Sequence, residues 1–257
     1  MSDIRLSKSC IGEAEKLAVM RVLDRGFFGM GEEVNAFEQA LSTFFGRPTV
    51  CVVNGTAALH LALQAAGVGQ DDEVLVQSLT YVASFQAITA SGAKPVACDI
   101  LATTACIDLS DAARKITPKT KAIMPVHYAG GVGQLDDLYD FADSHGLRVI
   151  EDAAHAIGSM YGNTKVGSCR HSDMTIFSFH PVKTMTTGEG GAITTNNKDL
   201  YNKIKILRDH GVVRNTELSR PWIYEMHYLG YNCRMTDIQA ALGISQLKKI
   251  NSFTTRR

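Results

Sequence analysis

Lys183 lies in a segment whose residue types favour amine chemistry. The segment FHPVKTMTTGEGG runs from Phe179 to Gly191, directly after an apolar run that ends at Ser178. A lysine between the end of a buried strand and a glycine-rich turn is held over a sheet, where loss of solvation favours the neutral, nucleophilic amine. A lone lysine is more often a surface residue, so this segment alone does not decide between the two interpretations.

Two other apolar runs are followed by polar residues that suit a charged ligand. Asn54-Gly55-Thr56-Ala57 follows Val50–Val53, and a strand, a glycine turn and a helix start together form a cradle of N–H donors for an anion. Glu151-Asp152 follows Val149-Ile150, and a carboxylate buried there needs a partner such as a cationic ring nitrogen. Taken alone, the first is more often an ordinary tight turn with Thr56 as a helix cap, and the second is equally explained as a capping aspartate.

Together, the three features match the requirements of pyridoxal 5'-phosphate. Its phosphate needs N–H donors, its pyridine nitrogen needs a carboxylate that keeps it protonated, and its aldehyde needs a lysine amine. We therefore predict that these three segments meet at one cofactor site, with the cofactor bonded to Lys183.

The elements that position these residues alternate between strands and helices. Short β-branched runs predict strands at Thr49–Val53, Glu73–Gln77, Pro95–Cys98, Ala122–Val126, Val149–Glu151, Met174–Ser178 and Gly191–Thr195. Helical periodicity predicts helices at Glu13–Asp24, Glu33–Phe44, Thr56–Ala66, Val82–Ser91, Leu135–His145, Asp199–Asp209 and Thr236–Lys249. Gly211–Arg234 has no clear period and is predicted to be a long loop. The alternation indicates an α/β fold, with a mostly parallel sheet covered by helices on both faces and ligands bound beyond the carboxyl ends of its strands.

The composition excludes several functional classes. The 257 residues are 45% hydrophobic and 20% charged with zero net charge, so a globular protein is expected and nothing favours a nucleic-acid partner. No apolar run reaches the ~20 residues of a membrane span, and the first residues lack the apolar core of a signal peptide, so we expect a cytoplasmic protein without membrane contact. The six cysteines match no zinc spacing, so we expect free buried thiols and no metal site.

Five stretches resemble the DegT/DnrJ family of nucleotide-sugar aminotransferases, which have the fold of type I pyridoxal-phosphate enzymes. They are NGTAALHLAL from Asn54, SLTYVAS from Ser78, EDAAHAIGS from Glu151, FSFHPVKTMTTGEGGAITT from Phe177 and LGYNCRMTDIQAALGISQLKK from Leu229. The last two stretches, with VGSCRHSD and PWIYEM, look most like the UDP-4-amino-4,6-dideoxy-N-acetyl-β-L-altrosamine transaminases of the pseudaminic acid pathway. The resemblance implies an enzyme that moves an amino group from glutamate to the 4-keto carbon of a nucleotide-linked deoxy sugar, with UDP as the expected nucleotide, for surface glycan biosynthesis.

The resemblance also implies a role for each matching residue. Lys183 would bond to the cofactor and move a proton between the sugar C4 and the cofactor, and Asp152 would pair with the pyridine nitrogen. Tyr81 would stack on the cofactor ring, although a core tyrosine is the ordinary alternative, and His155 would lie near the 3-hydroxyl side.

The phosphate would be held from both subunits of a homodimer with shared active sites. Within the chain the implied phosphate ligands are Gly55, Thr56, Ala57 and Ser178, and Asn232 would reach the phosphate of the partner subunit. His180 and Glu189 match the family motif but receive no role.

Family members commonly continue into a small C-terminal domain that completes the substrate pocket. We assign residues 1–234 to the cofactor-binding large domain and residues 235–257 to a helix leading toward a small domain that is mostly missing. We therefore expect the chain to hold the cofactor better than it turns over sugar nucleotide. Two alternatives remain: a pyridoxamine-phosphate-dependent sugar dehydratase, which would carry histidine in place of Lys183, and a non-catalytic or regulatory member of the same fold.

Overall fold

The computed structural model describes residues 7–214 and 222–256 of the chain. The helices are α1 (Glu13–Arg25), α2 (Glu32–Phe45), α3 (Gly55–Ala65), α4 (Val82–Ala90), α5 (Leu109–Lys115), α6 (Leu135–Ser144), α7 (Lys198–Arg208), α8 (Asp237–Leu247) and α9 (Ile250–Arg256), with a 3-10 turn at Tyr128–Gly130. The strands are β1 (Thr49–Val52), β2 (Glu73–Gln77), β3 (Lys94–Cys98), β4 (Thr120–Met124), β5 (Arg148–Asp152), β6 (Met160–Tyr161), β7 (Thr164–Lys165), β8 (Met174–Ser178), β9 (Gly191–Thr194), β10 (Val212–Arg214) and β11 (Tyr224–Met226).

A seven-stranded sheet in the order β1-β9-β8-β5-β4-β2-β3 forms the centre of the fold. The pairs from β8 to β3 are parallel, whereas β9 runs antiparallel to both β1 and β8. Val52 and Ser178 both pair with Gly191, so the carboxyl ends of β1 and β8 meet on either side of the start of β9. The residues that follow β1, β5 and β8 therefore reach the same edge of the sheet.

Helices cover both faces of this sheet. Since successive side chains of a strand point to opposite faces, each strand packs against both helix layers. In β8, Ile176 packs with residues of α3, α4 and α7 on one face. Its neighbour Phe177 packs on the other face with α2 and stacks on Phe45 with ring centroids 4.6 Å apart. Residues of α5 and α6 continue this second layer, and Val149 in β5 faces them. The predicted α/β fold with a mostly parallel sheet is confirmed.

The predicted elements and the observed ones agree best where the segments are buried. Every predicted strand and helix exists, with bounds within two residues of those expected. The helices α5 and α9 and the short strand pair β6–β7 were not predicted. The prediction of one long loop over Gly211–Arg234 is wrong in part, because β10 and β11 pair there as antiparallel strands, while residues 215–221 lie outside the described residues. Strands of three residues with no buried position leave no period to detect.

Helix α8 is tied to the N-terminal helix α1 through Glu15. This buried carboxylate accepts hydrogen bonds from Ser245 Oγ at 2.9 Å and Gln246 Nε2 at 3.2 Å, and it pairs with Lys249 Nζ at 2.7 Å. Burial alone would raise the pKa of Glu15, but these hydrogen bonds, led by the one from Lys249, together with one from the Gly12 backbone, lower it to about 2. The first helix and the segment after residue 234 thus pack on one another, and the domain boundary at that point stays a prediction.

The described helices are short, and most of the cysteines are buried. None of the helices in the described ranges is both long and apolar enough to cross a bilayer. Four cysteines are buried free thiols, whereas Cys106 is partly buried and Cys10 is exposed; the buried four are Cys51, Cys98, Cys169 and Cys233.

Candidate active site

A cavity of about 470 Å³ opens at the carboxyl edge of the sheet, where the residues after β1, β2, β4, β5 and β8 converge. Most of the residues singled out from the sequence line it: Gly55, Thr56, Tyr81, Asp152, His155, Ser178 and Lys183, together with His180 and Glu189. Ala57 and Asn232 are not among its lining residues.

The N terminus of α3 supplies the anion cradle. The cap is Asn54, whose Oδ1 accepts a hydrogen bond from the Ala57 N–H at 2.8 Å, so the alternative explanation with Thr56 as the cap is wrong. This bond engages the Ala57 N–H within the helix. The N–H groups of Gly55 and Thr56 belong to the first turn, which has no preceding intrahelical acceptor, and both residues face the cavity.

Glycines allow three backbone segments to approach one another beside this cradle. A Cβ atom on Gly55 would lie 2.9 Å from Ser178 Cβ, and one on Gly191 would lie 2.5 Å from the Asn54 carbonyl oxygen. Ordinary side chains at these positions would push the helix start away from the ends of β8 and β9. The close approach places the Ser178 hydroxyl next to the first turn of α3, which gives the cradle a hydroxyl as well as N–H groups.

Asp152 is the last residue of β5 and is held rigidly. Only 5% of its surface is exposed. Its Oδ2 accepts a hydrogen bond from Ser84 Oγ at 2.8 Å, and its Oδ1 accepts one from the Ala154 N–H at 3.1 Å. Its own N–H donates to the Pro125 carbonyl and its carbonyl accepts from the His127 N–H, both at 2.9 Å. The carboxylate therefore meets the cavity in a defined orientation.

The adjacent Glu151 points to the opposite side of the sheet, as successive strand residues do. It is 2% exposed, 2.8 Å from His127 Nε2, and accepts a hydrogen bond from the Tyr139 hydroxyl at 2.9 Å. Burial alone would raise the pKa of Glu151, but the hydrogen bond and charge of His127, with further bonds from Ser172 and Tyr139, hold it below its ordinary value. Glu151 is thus a structural acid, and Asp152 is the acid that faces the cavity.

Lys183 lies in a closed loop at the end of β8. The loop base is fixed by the Phe179 N–H, which donates to the Gly190 carbonyl at 2.8 Å, and the Lys183 N–H donates to the His180 carbonyl at 2.9 Å. Met185 is buried beneath the loop, whereas Lys183 is half-buried and lines the cavity. The sequence expectation of a lysine held over the sheet edge agrees with this placement.

Aromatic and imidazole rings border the rest of the cavity. Tyr81 caps α4 and keeps 73% of its surface exposed, so the core-tyrosine alternative is wrong and its ring is available to stack on a ligand. His155 Nδ1 accepts a hydrogen bond from the Ala129 N–H at 3.2 Å, so this ring nitrogen is turned toward the backbone of the 3-10 turn at Tyr128–Gly130. His180 Nε2 lies 3.9 Å from Glu189 Oε1, so these two motif residues face each other at the cavity wall.

Sequence reasoning missed three polar residues that support the site. Ser84 donates to Asp152, and Thr80 lies next to Ser84. The His127 N–H donates to the Asp152 carbonyl, and the His127 ring contacts Glu151. Ser84 carried one usable signal, because it is a hydroxyl on the apolar face of α4 formed by Ala83 and Ile88. His127 carried none, since its partner lies on another strand.

Asn232 occupies a different part of the surface. It forms an isolated antiparallel bridge with Asp209, and its Oδ1 accepts a hydrogen bond from the Arg234 N–H at 3.5 Å. The residue is exposed within this single chain. Its expected reach to a partner's phosphate stays a prediction.

Known proteins resemble this chain in both sequence and fold. The chain matches the DegT/DnrJ/EryC1/StrS aminotransferase family over residues 9–257. GDP-perosamine synthase of Caulobacter vibrioides is 43% identical over 229 residues, which cover 89% of this chain and 60% of that protein. Helicobacter pylori PseC, an aminotransferase involved in the biosynthesis of pseudoaminic acid, has 32% identity and a TM-score of 0.90, with 98% of this chain and 67% of that chain covered.

A second similar structure is that of a PMP form. The PMP form of Streptococcus pneumoniae Spr1654 has 35% identity and a TM-score of 0.93, with 99% of this chain and 69% of that chain covered. The chain spans between 60% and 66% of the length of three curated relatives that it matches. The family predicted from the five sequence stretches is confirmed, and the chain belongs to the DegT/DnrJ/EryC1/StrS aminotransferase family.

Proposed function

We propose that the chain carries the cofactor site of a pyridoxal-phosphate-dependent aminotransferase. Its reaction transfers an amino group from glutamate to the 4-keto carbon of a nucleotide-linked deoxy sugar, with UDP as the expected nucleotide, for surface glycan biosynthesis. The observation that carries the proposal is the meeting of Lys183, Asp152 and the N terminus of α3 in one cavity.

The residues of the cavity fit this cofactor. Its volume of about 470 Å³ suits a small-molecule site. The first turn of α3 and the Ser178 hydroxyl form a cradle so narrow that a Cβ on Gly55 would fill it, and such a cradle suits a phosphate. A buried carboxylate at another wall suits a ring N–H, and a half-buried lysine suits an aldehyde.

The proposed roles follow from what each side chain can donate or accept. When bound, pyridoxal phosphate supplies an electron sink that the side chains of the chain itself lack. Lys183 would hold the aldehyde end of the cofactor through its amine and would move a proton at the sugar C4. Asp152 would accept the ring N–H and keep that nitrogen protonated. Tyr81 would cover the ring, and His155 would lie toward the 3-hydroxyl.

The phosphate ligands divide into direct and indirect ones. Three groups would donate directly to the phosphate: the N–H groups of Gly55 and Thr56 and the hydroxyl of Ser178. Ala57 contributes through the shape of the helix start, because its N–H donates to Asn54. Asn232 is proposed to reach the phosphate of a partner subunit, so the active assembly is a homodimer with shared sites.

The substrates are proposed from the relatives. GDP-perosamine synthase and PseC are named for amino sugars, and a keto sugar on a nucleotide is the corresponding acceptor. Glutamate is the proposed amino donor. The dehydratase alternative lacks support, because a lysine occupies the position at which those enzymes carry histidine.

Absorbance spectroscopy tests the proposal against the non-catalytic alternative. Purified protein is titrated with pyridoxal phosphate, then mixed with glutamate, then with UDP- and dTDP-linked 4-keto sugars. We expect a new absorbance band on binding, its loss with glutamate, and its return with one of the keto sugars. A protein that binds no cofactor, or binds it and does not respond to any amino acid, would contradict the proposed activity.

A further inference from the structure

A buried hydroxyl pair leads from the cavity wall to the Asp152 carboxylate. Ser84 in the first turn of α4 is completely buried, and its Oγ lies 2.8 Å from Asp152 Oδ2. Thr80 Oγ1 lies 2.7 Å from Ser84 Oγ, and Thr80 lines the cavity. The three side chains therefore form one continuous hydrogen-bonded path.

The direction of these hydrogen bonds follows from the chemistry of the groups. An ionised carboxylate only accepts, so Ser84 donates its single O–H to Asp152. Ser84 then has no proton left for its other neighbour, and Thr80 must donate its O–H to Ser84 Oγ. Thr80 consequently offers only lone pairs to the cavity, and both hydroxyl protons are committed toward the carboxylate.

A buried serine at position 84 would destabilise the fold without its hydrogen bond to Asp152. Its neighbours on the buried side of α4, Ala83, Ala87 and Ile88, are apolar and belong to the core cluster beneath the helix. A hydroxyl removed from water is unfavourable without a hydrogen-bond partner, and an alanine would avoid that cost. The hydrogen bond to Asp152 is the compensation that the structure shows.

We propose that Ser84 is a positioning residue, which anchors Oδ2 of Asp152 so that the carboxylate keeps one orientation toward the ring nitrogen of the cofactor. The inference rests on the proposed function. The Ala154 N–H holds Oδ1, so the two oxygens are fixed from two different segments, the helix α4 and the turn after β5. A carboxylate fixed on both oxygens loses no orientational freedom when it accepts the ring N–H.

Cofactor titration of Ser84 variants tests this role. Ser84→Ala should weaken pyridoxal phosphate binding about tenfold, since a hydrogen bond to a charged group contributes at that level. Ser84→Cys keeps a weak donor and should fall between Ala and wild type. Thr89→Ala is the matched control, because this hydroxyl lies on the same helix, is exposed and donates only to the Phe85 carbonyl.

A second readout separates positioning from packing. The absorbance of the bound cofactor is recorded against pH, and we expect the curve of Ser84→Ala to move relative to wild type and that of Thr89→Ala to coincide with it. Loss of packing alone would lower the melting temperature without moving this curve. If Ser84→Ala does not fold, Thr80→Val, which removes the donor to Ser84, should move the curve in the same direction by less.

The outcomes distinguish the inference from the proposed function. If the wild-type protein does not bind pyridoxal phosphate, both fail. If wild type binds while folded Ser84→Ala shows the same affinity and the same pH curve, the positioning role is overturned and the proposed function stands. An unmoved curve in Thr80→Val, where Ser84→Ala is unfolded, overturns it equally.

Discussion

The neighbouring carboxylates Glu151 and Asp152 should respond in opposite ways to loss of charge. Glu151→Gln should destabilise the fold, because Glu151 is buried behind the sheet against His127 and Tyr139. Asp152→Asn should leave the fold in place and remove function, because Asp152 faces the cavity. The two substitutions make the same chemical change one residue apart, so each is a control for the other.

The size of the first effect follows from burial. Water cannot replace a lost partner at a residue that is 2% exposed. A hydrogen bond to a charged group contributes ~1.5–3 kcal/mol. Glutamine keeps one acceptor oxygen but places an N–H₂ donor against either His127 or Tyr139. We therefore expect Glu151→Gln to lower the free energy of unfolding by about 2–3 kcal/mol.

The pH dependence of this loss has a defined sign. The pKa of Glu151 is held below its ordinary value of 4.5 in the folded protein. The charged group therefore contributes stability above the pKa of the unfolded chain, and this contribution disappears as the pH falls through the folded pKa. The difference between wild type and Glu151→Gln should be largest at neutral pH and should shrink as the pH falls below about 4.5.

Urea unfolding followed by circular dichroism measures both variants. We expect Asp152→Asn to stay within about 1 kcal/mol of wild type, since the amide oxygen can accept from the Ala154 N–H while the amide N–H₂ donates to Ser84 Oγ, whose own O–H can turn to Thr80. Glu32→Gln, which removes an exposed ion pair with Arg25, should change stability by less than about 1 kcal/mol. The reasoning is refuted if Glu151→Gln unfolds like wild type, or if Asp152→Asn is the variant that loses most of its stability.

Three further predictions concern the helix contacts, the cradle and the dimer. Glu15→Gln should loosen α8 from α1, seen as faster amide exchange in α8, and should remove the acid-dependent loss of wild-type stability between about 4.5 and about 2. Gly55→Ala should weaken pyridoxal phosphate binding more than tenfold, whereas Gly69→Ala, whose Cβ would meet only a carbonyl at 3.8 Å, should not. Lys183→Ala and Asn232→Ala chains mixed as verified heterodimers should recover activity, and no recovery would count against shared sites.

The sheet and its ligand edge could be predicted because their signals are local. Buried strands such as Glu73–Gln77 have an apolar centre, here Val74, Leu75 and Val76. The rule that ligands bind beyond parallel strand ends then selects the residues that follow such strands. Gly55, Asp152 and Lys183 were found in this way. Helix α5 was missed because its seven residues contain too few apolar positions to show a period.

The supporting residues could not be predicted because their partners are distant in sequence. Ser84 reaches Asp152 from a different helix, and His127 reaches Glu151 from the end of another strand. A serine in a helix and a histidine after a strand have no preferred partner in their own segment. The alternative with Thr56 as the cap, where the structure has Asn54, has a similar cause, since both residue types cap helices and only the fold shows where the first turn begins.

Covalent labelling tests the central claim most directly. The purified protein is incubated with pyridoxal phosphate, reduced with borohydride and digested, and the peptides are analysed by mass spectrometry. The phosphopyridoxyl group should be found on Lys183. Lys165, whose Nζ donates to the Phe44 carbonyl, and the exposed Lys121 provide internal comparisons in the same digest. A label on either of these lysines in place of Lys183, or no label on a folded protein, would contradict the account.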